Sequence, residues 1–261
     1  MLAFPNAKIN LGLNIVSKRE DGYHDIESCF YPIPWQDSLE VIEAASFAFH
    51  SYGLVIPGDS SSNLCVKAYE LLKADFDIPP IEIHLLKNIP MGAGLGGGSA
   101  DGAFTLRLIN DLFSLKISNL QLETYSLQLG SDCPFFIQNQ PVIAKGRGEQ
   151  LDPIDLDFSG YHLAIHNPGI HVSTTEAYSG IIPKQPKHAV QEILSKPIDE
   201  WKDFLVNDFE ASIFQNHPAI AQLKDDMYQA GAIYASMTGS GSTVFGLFRD
   251  EAPSQWISFP L

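Results

Sequence analysis

The sequence predicts an α+β protein of two domains, and three observations carry that prediction. The chain has 261 residues, enough for one large domain or two of ordinary size, and two is the expected number. Segments with strand alternation and segments with helical spacing occur in both halves of the chain. Between them lies EQLDPIDLDFSG, an acidic, turn-rich and weakly patterned stretch. We therefore expect domains at residues 1–155 and 156–261.

The first predicted element is a strand at residues 7–15, AKINLGLNI. Apolar residues alternate there with polar ones, which places Lys8 and Asn10 on one face and a buried face opposite them. Extended segments follow the turn REDGYH, and SSSNLCVKAYELLKAD is predicted to be a capped helix. The alternating strand IEIHLLKNIP then leads into a run of glycines.

Two helices are predicted after the glycine run, in SADGAFTLRLINDLF and NLQLETYSLQLG. The second should end at Gly130, and Ser131 or Asp132 is a candidate cap for the segment that restarts at Pro134. The second half is predicted to hold the strand YHLAIHNPG and helices in IDEWKDFLVNDFE and HPAIAQLKDDMYQAG. The extended runs AIYASM and STVFGLF, joined by TGSG, indicate a hairpin.

The composition excludes several classes of function. A net charge of −15 is unsuited to a nucleic-acid-binding surface, so any site for phosphates must build its positive potential locally. No apolar run approaches the roughly 18 residues of a membrane span, and the N-terminus has no secretory pattern, so a cytoplasmic protein is expected. The 3 cysteines and 8 histidines show no metal-ligand spacing, and no fixed metal site is expected.

The glycine run, PMGAGLGGGSADGAF at residues 90–104, is the strongest local signal. It contains the dinucleotide pattern GxGxxG, but no acidic residue follows at the ribose position, and it lacks the GK[ST] ending of an ATPase P-loop. A flexible linker would be more polar and repetitive. The remaining interpretation is a loop whose amides, with the N-terminus of the next helix and Ser99, wrap the phosphates of a nucleotide.

The glycine run also belongs to a set of three motifs. PMGAGLGGGSAD, together with AKINLGLNI and MTGSGSTVFG, resembles the motifs of the GHMP kinase superfamily (galactokinase, homoserine, mevalonate and phosphomevalonate kinases). Within it, REDGYHDIESCF, GSDCPFF and GRGE are similar to the family of 4-diphosphocytidyl-2-C-methyl-D-erythritol kinases of the non-mevalonate isoprenoid pathway. The resemblance implies the two-domain GHMP kinase fold. Its N-terminal domain is ribosomal-S5-domain-2-like, its C-terminal domain is ferredoxin-like, and the active site lies in the cleft between them.

The resemblance implies transfer of the γ-phosphate of ATP to the 2-hydroxyl of the methylerythritol group. Asp132 matches the catalytic aspartate of a G-[AS]-D-x-P motif, although an N-cap ahead of Pro134 would also explain it. Lys8 matches the lysine of the first motif and is expected to hold Asp132 as a carboxylate, while Asn10 contacts the substrate. ATP is the implied co-substrate, and Mg²⁺ is expected to arrive with it.

The resemblance also assigns the two ligand-binding sets. Tyr23 and His24 are expected to stack on and hydrogen-bond the cytosine, with Phe30 lining that pocket and Tyr178 forming its other wall. The residues expected to contact ATP are Asn63, Leu64, Pro90, Met91, Gly92, Ala93, Gly94, Leu95, Gly96, Gly97, Gly98, Ser99, Gly239 and Gly241. A helix N-terminus would explain Asn63 equally well, and a plain hairpin turn would explain the last two glycines.

Two positions depart from the family pattern, and two other functions remain open. Ala100 stands where relatives commonly have a second serine, and Ser179 where some have a lysine near the diphosphate. The alternatives are another GHMP kinase, acting on homoserine, mevalonate or a sugar, and a non-catalytic nucleotide-binding module. The expected partners are CDP-methylerythritol and ATP, with no nucleic acid and no membrane, and the protein is expected to be a monomer or weak homodimer.

Overall fold

The computed structural model describes residues 1–261, which form three four-stranded sheets and eight α-helices. The strands are β1 (Leu2–Ala3), β2 (Asn6–Lys18), β3 (His24–Gln36), β4 (Ser38–Glu43), β5 (Ala48–Gly53), β6 (Ile81–Lys87), β7 (Val142–Gly146), β8 (Gln150–Pro153), β9 (His162–His166), β10 (Tyr234–Met237), β11 (Val244–Phe248) and β12 (Ile257–Pro260). The helices are α1 (Leu64–Asp75), α2 (Gly97–Leu112), α3 (Asn119–Leu129), α4 (Phe135–Gln138), α5 (Thr174–Ser179), α6 (Val190–Leu194), α7 (Glu210–Asn216) and α8 (Pro218–Gln229).

The chain divides into two compact units, and each unit is assembled from separate segments. Unit 1 comprises Met1–Ala7, Pro34–Met91 and Gly96–Gln140, and unit 2 comprises Lys8–Ile33, Gly92–Leu95 and Pro141–Leu261. The glycine run therefore contributes residues to both units. The expected continuous domains at 1–155 and 156–261 stay a prediction.

Unit 1 packs four helices with a mixed sheet of strand order β1-β4-β6-β5. The central pair β4 and β6 is antiparallel, whereas the edge strand β5 runs parallel to β6. Helix α1 begins after Asn63, whose side chain accepts a hydrogen bond from the Cys65 amide at 2.8 Å, so the predicted cap is confirmed. Gly102 lets α2 approach α1 closely, since a Cβ there would lie 2.9 Å from the Cβ of Leu64.

A buried ion cluster joins the sheet of unit 1 to α2. The ammonium group of Lys87, at the end of β6, donates to the carboxylates of both Asp37 and Asp101, and all three side chains are buried. Asp37 also accepts hydrogen bonds from the amides of Asn88 and Ile89 at 2.6 and 2.8 Å. One cation and two carboxylates are thus removed from water together, which is favourable only when hydrogen bonds compensate for desolvation.

The cluster leaves Asp101 in an unusual protonation state. Burial raises the pKa of Asp101 to about 7, because desolvation and the charge of Asp37 outweigh the attraction of Lys87. For Lys87, burial lowers the pKa, but the two carboxylates outweigh it and leave the pKa raised. Oδ1 of Asp101 is buried and has no hydrogen-bond partner within the protein. Asp101 is therefore the group of this cluster whose charge changes near neutral pH.

Unit 2 contains most of the sheet β2-β3-β7-β8 and the whole antiparallel sheet β10-β11-β9-β12. The hairpin predicted around TGSG is confirmed, since β10 and β11 pair antiparallel from Tyr234 opposite Leu247 to Met237 opposite Val244. The strand predicted at residues 7–15 forms as part of β2, but both of its faces are buried from Asn6 to Ile15. The expectation that only the apolar face of this strand is buried was wrong, because the polar residues of β2 take part in internal hydrogen bonds.

The helix predicted in IDEWKDFLVNDFE does not form. Only a single 3-10 turn, Ile198–Glu200, occurs before α7 begins at Glu210. Trp201, Leu205 and Phe209 are buried at helical spacing, yet the backbone around residue 207 hydrogen-bonds to β2 instead of to itself. The amide of Leu13 donates to Val206, and the amide of Asp208 donates to Leu13, both at 2.8 Å. Pairing with a strand has therefore replaced helical hydrogen bonding.

None of the helices combines the length and the apolar character that crossing a bilayer would require.

We expect the ion cluster to make stability depend on pH. The folded protein holds a proton on Asp101 that an unfolded aspartate, with a pKa of about 3.9, releases, so this group's contribution to stability falls as pH rises toward 7. Asp101→Asn removes that titration. Urea unfolding at pH 5 to 8 should therefore show the stability of the variant rising relative to wild type as pH increases. Exposed Asp155→Asn is the control, and a difference independent of pH would contradict the assignment.

Candidate active site

In unit 2, residues from all three sequence motifs meet in one buried polar network. The ammonium group of Lys8, on β2, donates to the side-chain oxygen of Asn10 and to the carbonyl of Gly94, the latter at 3.2 Å. Thr238 follows β10, and its hydroxyl accepts the amide of Asn10 at 3.0 Å and lies 3.1 Å from the same Gly94 carbonyl. The first strand, the glycine run and the hairpin thus share a single set of hydrogen bonds.

Lys8 is only 3% exposed, so its ammonium group is shielded from solvent by the surrounding protein. The face of the buried Phe30 ring lies 4.8 Å from the ammonium nitrogen and adds a cation–π contact. A buried ammonium is costly unless oxygens or π faces surround it, and these groups hold it in one place. Such a fixed cation is suited to stabilising negative charge on a neighbouring group.

Asn10 supports Lys8 through both ends of its amide. Its side-chain nitrogen donates to the hydroxyl of Ser28 at 2.9 Å, and that hydroxyl donates to the Gly12 carbonyl at 2.6 Å. The opposite end, the oxygen, accepts from Lys8, and the residue is 1% exposed. The structure therefore places Asn10 as a support of the lysine, and its predicted contact with substrate stays a prediction.

Gly94 and Gly239 are required by the close approach of two backbones. Gly94 has φ +79°, and a Cβ there would lie 2.0 Å from the carbonyl oxygen of Thr238. A Cβ at Gly239, φ +56°, would lie 2.9 Å from the Cα of Gly94. Asn207 fixes the hairpin side by donating to the carbonyls of Met237 and Gly239 at 2.8 and 2.9 Å. The hairpin therefore holds the glycine run in addition to joining β10 to β11.

The aromatic residues predicted to bind a base also lie in unit 2. The rings of His24 and Tyr178 stack with centroids 4.7 Å apart and an interplanar angle of 23°, and Phe209 packs edge-on against Tyr178. Tyr23 is 55% exposed, and the guanidinium group of Arg147 lies 4.9 Å from its ring centroid. Partial burial lowers the pKa of His24, and the charge of Lys18 lowers it further, which favours a neutral imidazole with one donor and one acceptor nitrogen.

In unit 1, four residues predicted to contact ATP line one pocket of about 180 Å³. They are Asn63, Leu64, Met91 and Gly98. Ile56, Pro57, Ser62 and Asp101 complete the lining. The pocket therefore combines the start of α1, the start of α2 and an acidic group that the sequence did not point to. Ala93 and Leu95 are buried, so only their backbone atoms could contact a ligand.

The start of α2 has the form of an anion-binding site. Gly92, Gly94 and Gly96 all have positive φ, between 63° and 79°, and Gly96 is the N-cap of the helix. The first amides of a helix have no intrahelical partner, and those at residues 97–99 therefore remain for a ligand. This interpretation agrees with the sequence prediction of a phosphate loop.

Asp132 lies in a turn of unit 1 beside the start of α2. Ser99, in the first turn of α2, lies beside Cys133, whose thiol pKa is raised to about 12 chiefly by burial. The N-cap of helix α4 is Pro134, so Asp132 lies two residues before the cap position. Asp132 is partly exposed, and it directly precedes Cys133 in the chain.

Several supporting residues were not predicted. Ser28, Asn207 and Thr238 complete the Lys8 network, and only Thr238 carried a signal, since it directly precedes the glycines of the hairpin. The two departures from the family pattern have simple local explanations. Ala100 is fully buried, and the hydroxyl of Ser179 donates to the Glu176 carbonyl within α5 at 2.7 Å.

Comparisons with known proteins identify the family of the chain. Residues 63–145 match the family model for the GHMP kinases N terminal domain, and residues 189–257 match that for the GHMP kinases C terminal domain. A curated relative from Cytophaga hutchinsonii, named 4-diphosphocytidyl-2-C-methyl-D-erythritol kinase, is 53% identical over 252 residues, which is 96% of this chain and 93% of the relative.

Solved structures give the same result. A crystal structure of 4-(cytidine 5'-diphospho)-2C-methyl-D-erythritol kinase has a TM-score of 0.82 and 33% identity, covering 95% of this chain and 90% of the other. Mevalonate kinase from Methanococcus jannaschii has a TM-score of 0.68 at 14% identity over 95% of this chain and 90% of the other, which shows the shared fold alone. The chain therefore belongs to the GHMP kinases and, within them, to the family of 4-diphosphocytidyl-2-C-methyl-D-erythritol kinases.

Proposed function

We propose that the protein transfers the γ-phosphate of ATP to the 2-hydroxyl of 4-diphosphocytidyl-2-C-methyl-D-erythritol, giving the 2-phosphate and ADP in the non-mevalonate isoprenoid pathway. The observation that carries the proposal is the buried ammonium of Lys8, hydrogen-bonded to the glycine run through Gly94. The relative named for this activity, 53% identical over nearly the whole chain, supports the choice of substrate.

Phosphoryl transfer requires a protein to position the reactants and to stabilise charge on the phosphoryl oxygens. We assign the phosphates of ATP to the amides of residues 92–99, where three glycines of positive φ lead into the 16-residue helix α2. The helix dipole adds positive potential at that point without adding a charged side chain. This suits a protein whose net charge is −15.

In the proposed reaction, the substrate 2-hydroxyl oxygen attacks the γ-phosphorus. The bond from that phosphorus to the bridging β,γ-oxygen breaks, and ADP leaves. Asp132 orients the hydroxyl and accepts its proton, while Lys8 supplies a fixed positive charge. Burial of Lys8 strengthens this electrostatic effect relative to water.

Mg²⁺ is proposed to enter with ATP and to neutralise charge on its phosphates. It prefers oxygen ligands and usually binds one or two carboxylates together with substrate phosphates. Ser99 and Asp132 both carry oxygen donors, and both lie next to Cys133 in unit 1, so these residues fit that requirement.

We assign the cytosine to the aromatic residues of unit 2. Tyr178 supplies a ring held edge-on by Phe209, Tyr23 supplies an exposed ring face, and His24 supplies a donor and an acceptor nitrogen for the edge of the base. Phe30 is assigned to the same pocket. A kinase for homoserine or mevalonate has no base to bind, so this set favours the cytidine substrate over those alternatives.

The remaining proposals concern the cellular compartment, the binding partners and the oligomeric state of the protein. We propose a cytoplasmic enzyme, because its three cysteines are free and buried as expected in a reducing compartment. Its partners are proposed to be the two small substrates, without nucleic acid, since the net charge of −15 repels polyanions. A monomer or weak homodimer is proposed.

The choice of substrate can be tested with a coupled ADP-release assay. We expect ATP-dependent ADP release with CDP-methylerythritol and none above background with mevalonate, homoserine or galactose. ADP release with mevalonate or homoserine instead would support the alternative kinase. No ADP release with any acceptor, despite measurable ATP binding, would support a nucleotide-binding module without catalysis.

The catalytic assignment can be tested with Asp132→Asn and Lys8→Met. Each should lower kcat at least about 100-fold, as expected for a general base or a preorganised charge. If the two groups act as a unit, the double variant should be little slower than either single variant. Exposed Asp155→Asn is the control, and urea unfolding separates lost catalysis from lost folding. Near-normal turnover in Asp132→Asn would contradict the assignment.

The base-binding assignment can be tested at Tyr178. Tyr178→Leu removes the ring, and because stacking on a base is worth about 1–3 kcal/mol, KM for the cytidine substrate should rise about 10-fold or more with KM for ATP unchanged. Tyr178→Phe keeps the ring and should restore KM. An equal rise of both KM values, or no rise in Tyr178→Leu, would exclude a specific role in binding the base.

A further inference from the structure

Two histidines and a glutamate lie together on one face of the sheet of unit 1. His50 belongs to the edge strand β5, and Glu82 and His84 belong to its neighbour β6. In the parallel ladder His50 is the direct partner of His84, and Glu82 lies two residues before His84. Since side chains two residues apart on a strand share a face, the three side chains project from the same surface.

The donor atoms of this group converge. One ligand atom from each of His50, Glu82 and His84 lies within 4.8 Å of the other two. Nε2 of His84 is already 3.5 Å from a carboxylate oxygen of Glu82. The imidazole rings of the two histidines stack, with centroids 4.8 Å apart and an interplanar angle of 18°. Two imidazoles and a carboxylate are thus presented on a rigid sheet.

Tyr52 fixes the orientation of the central histidine. Its hydroxyl lies 3.2 Å from Nδ1 of His84, on the same face of β5 as His50. With Nδ1 engaged by Tyr52, Nε2, the ring nitrogen that faces Glu82, is the one left to bind an ion. A hydrogen bond to the second ring nitrogen is the usual support of a metal-binding histidine, because it sets the tautomer and the ring orientation.

We propose that His50, Glu82 and His84 bind a divalent transition metal ion of the Zn²⁺ class, separate from the nucleotide site. Imidazole nitrogen suits Zn²⁺, Cu²⁺ and Ni²⁺, whereas Mg²⁺ and Ca²⁺ prefer all-oxygen sites. Three protein ligands leave a coordination position for water, and His50 is exposed, so the site is open to solvent. The bound ion would link the edge strand β5 to β6.

The spacing of two of the ligand atoms already suits a tetrahedral ion. Ligands about 2.0–2.1 Å from a tetrahedral ion lie about 3.3 Å apart, close to the present separation of His84 from Glu82. The third ligand, the imidazole of His50, must move closer to the other two, and its exposed side chain can rotate to do so. No spacing along the chain indicates this site, because β5 and β6 bring His50 next to Glu82 and His84, which are distant from it in sequence.

We expect Zn²⁺ titrated into untagged, chelator-stripped protein to bind with one equivalent per chain at micromolar affinity, measured by calorimetry. Co²⁺ should produce visible d–d absorption at the same stoichiometry. His50→Asn and His84→Asn should each weaken binding at least about 10-fold, and Tyr52→Phe should weaken it less, as loss of an outer hydrogen bond does. His162→Asn, on β9 of unit 2, is the matched control and should bind like wild type.

Two further readouts separate this site from the kinase site. Zn²⁺ should raise the unfolding temperature of wild type and of His162→Asn, but not that of His50→Asn, because an ion that binds only the folded state stabilises it. Affinity should fall as pH drops and protons compete for imidazole. With Mg²⁺ and ATP, ADP release by His50→Asn should equal that of wild type. Absence of stoichiometric Zn²⁺ binding, or binding that the His50 and His84 variants leave unchanged, would overturn the proposal.

Discussion

The burial of the Lys8 ammonium is the constraint on which the arrangement of the three motifs depends. An ammonium group with 3% exposure must be surrounded by oxygens and π faces. The groups around Lys8 come from all three sequence motifs. Asn10 is on the same strand, the Gly94 carbonyl is in the glycine run, and Thr238 approaches that carbonyl from the hairpin. The meeting of the three motifs therefore reflects one shared electrostatic requirement.

A second buried ammonium acts on the other end of the glycine run. Lys87 binds Asp101 in α2, and a Cβ at Gly97 would lie 2.9 Å from its nitrogen. The first turn of α2 therefore packs directly over the Lys87 cluster. Through Asp37, which also accepts the amides after β6, the cluster connects that turn to the end of the sheet. Lys8 holds the run at Gly94, and Lys87 holds it where the helix begins.

The sequence predicted those parts of the fold whose determinants are local. Asn63 as a cap and the turn between β10 and β11 depend on residues close together in the chain, and both formed as expected. The helix predicted around Leu205 failed, because a partner in β2 more than 190 residues away accepted and donated its backbone hydrogen bonds. Helical spacing of apolar residues could not distinguish burial beside a strand from burial along a helix.

The candidate site, too, has one part that the sequence predicted and another part that it did not. The resemblance to GHMP kinases supplied the glycine run, Lys8 and Asp132, but it did not supply the residues that hold them. Lys87 is paired with carboxylates 50 and 14 positions away, and Asn207 reaches carbonyls 30 and 32 positions away. Polar residues of this kind look like surface residues in a sequence, since nothing local marks their partners. They became recognisable only when burial was known.

The two anchors explain how a loop so rich in glycine can be ordered enough for chemistry. Fixing the backbone of each residue costs about 1–2 kcal/mol, and glycine costs the most because it has the most freedom to lose. A neutral hydrogen bond returns only about 1 kcal/mol net, whereas bonds to charged groups return about 1.5–3 kcal/mol. Five glycines in seven positions therefore call for charged anchors: buried Lys8 bonds the Gly94 carbonyl within the run, and buried Lys87 bonds Asp101 in the helix that follows it. The amides between the anchors are then left free of side chains and held in position, as the binding of phosphate by backbone groups requires.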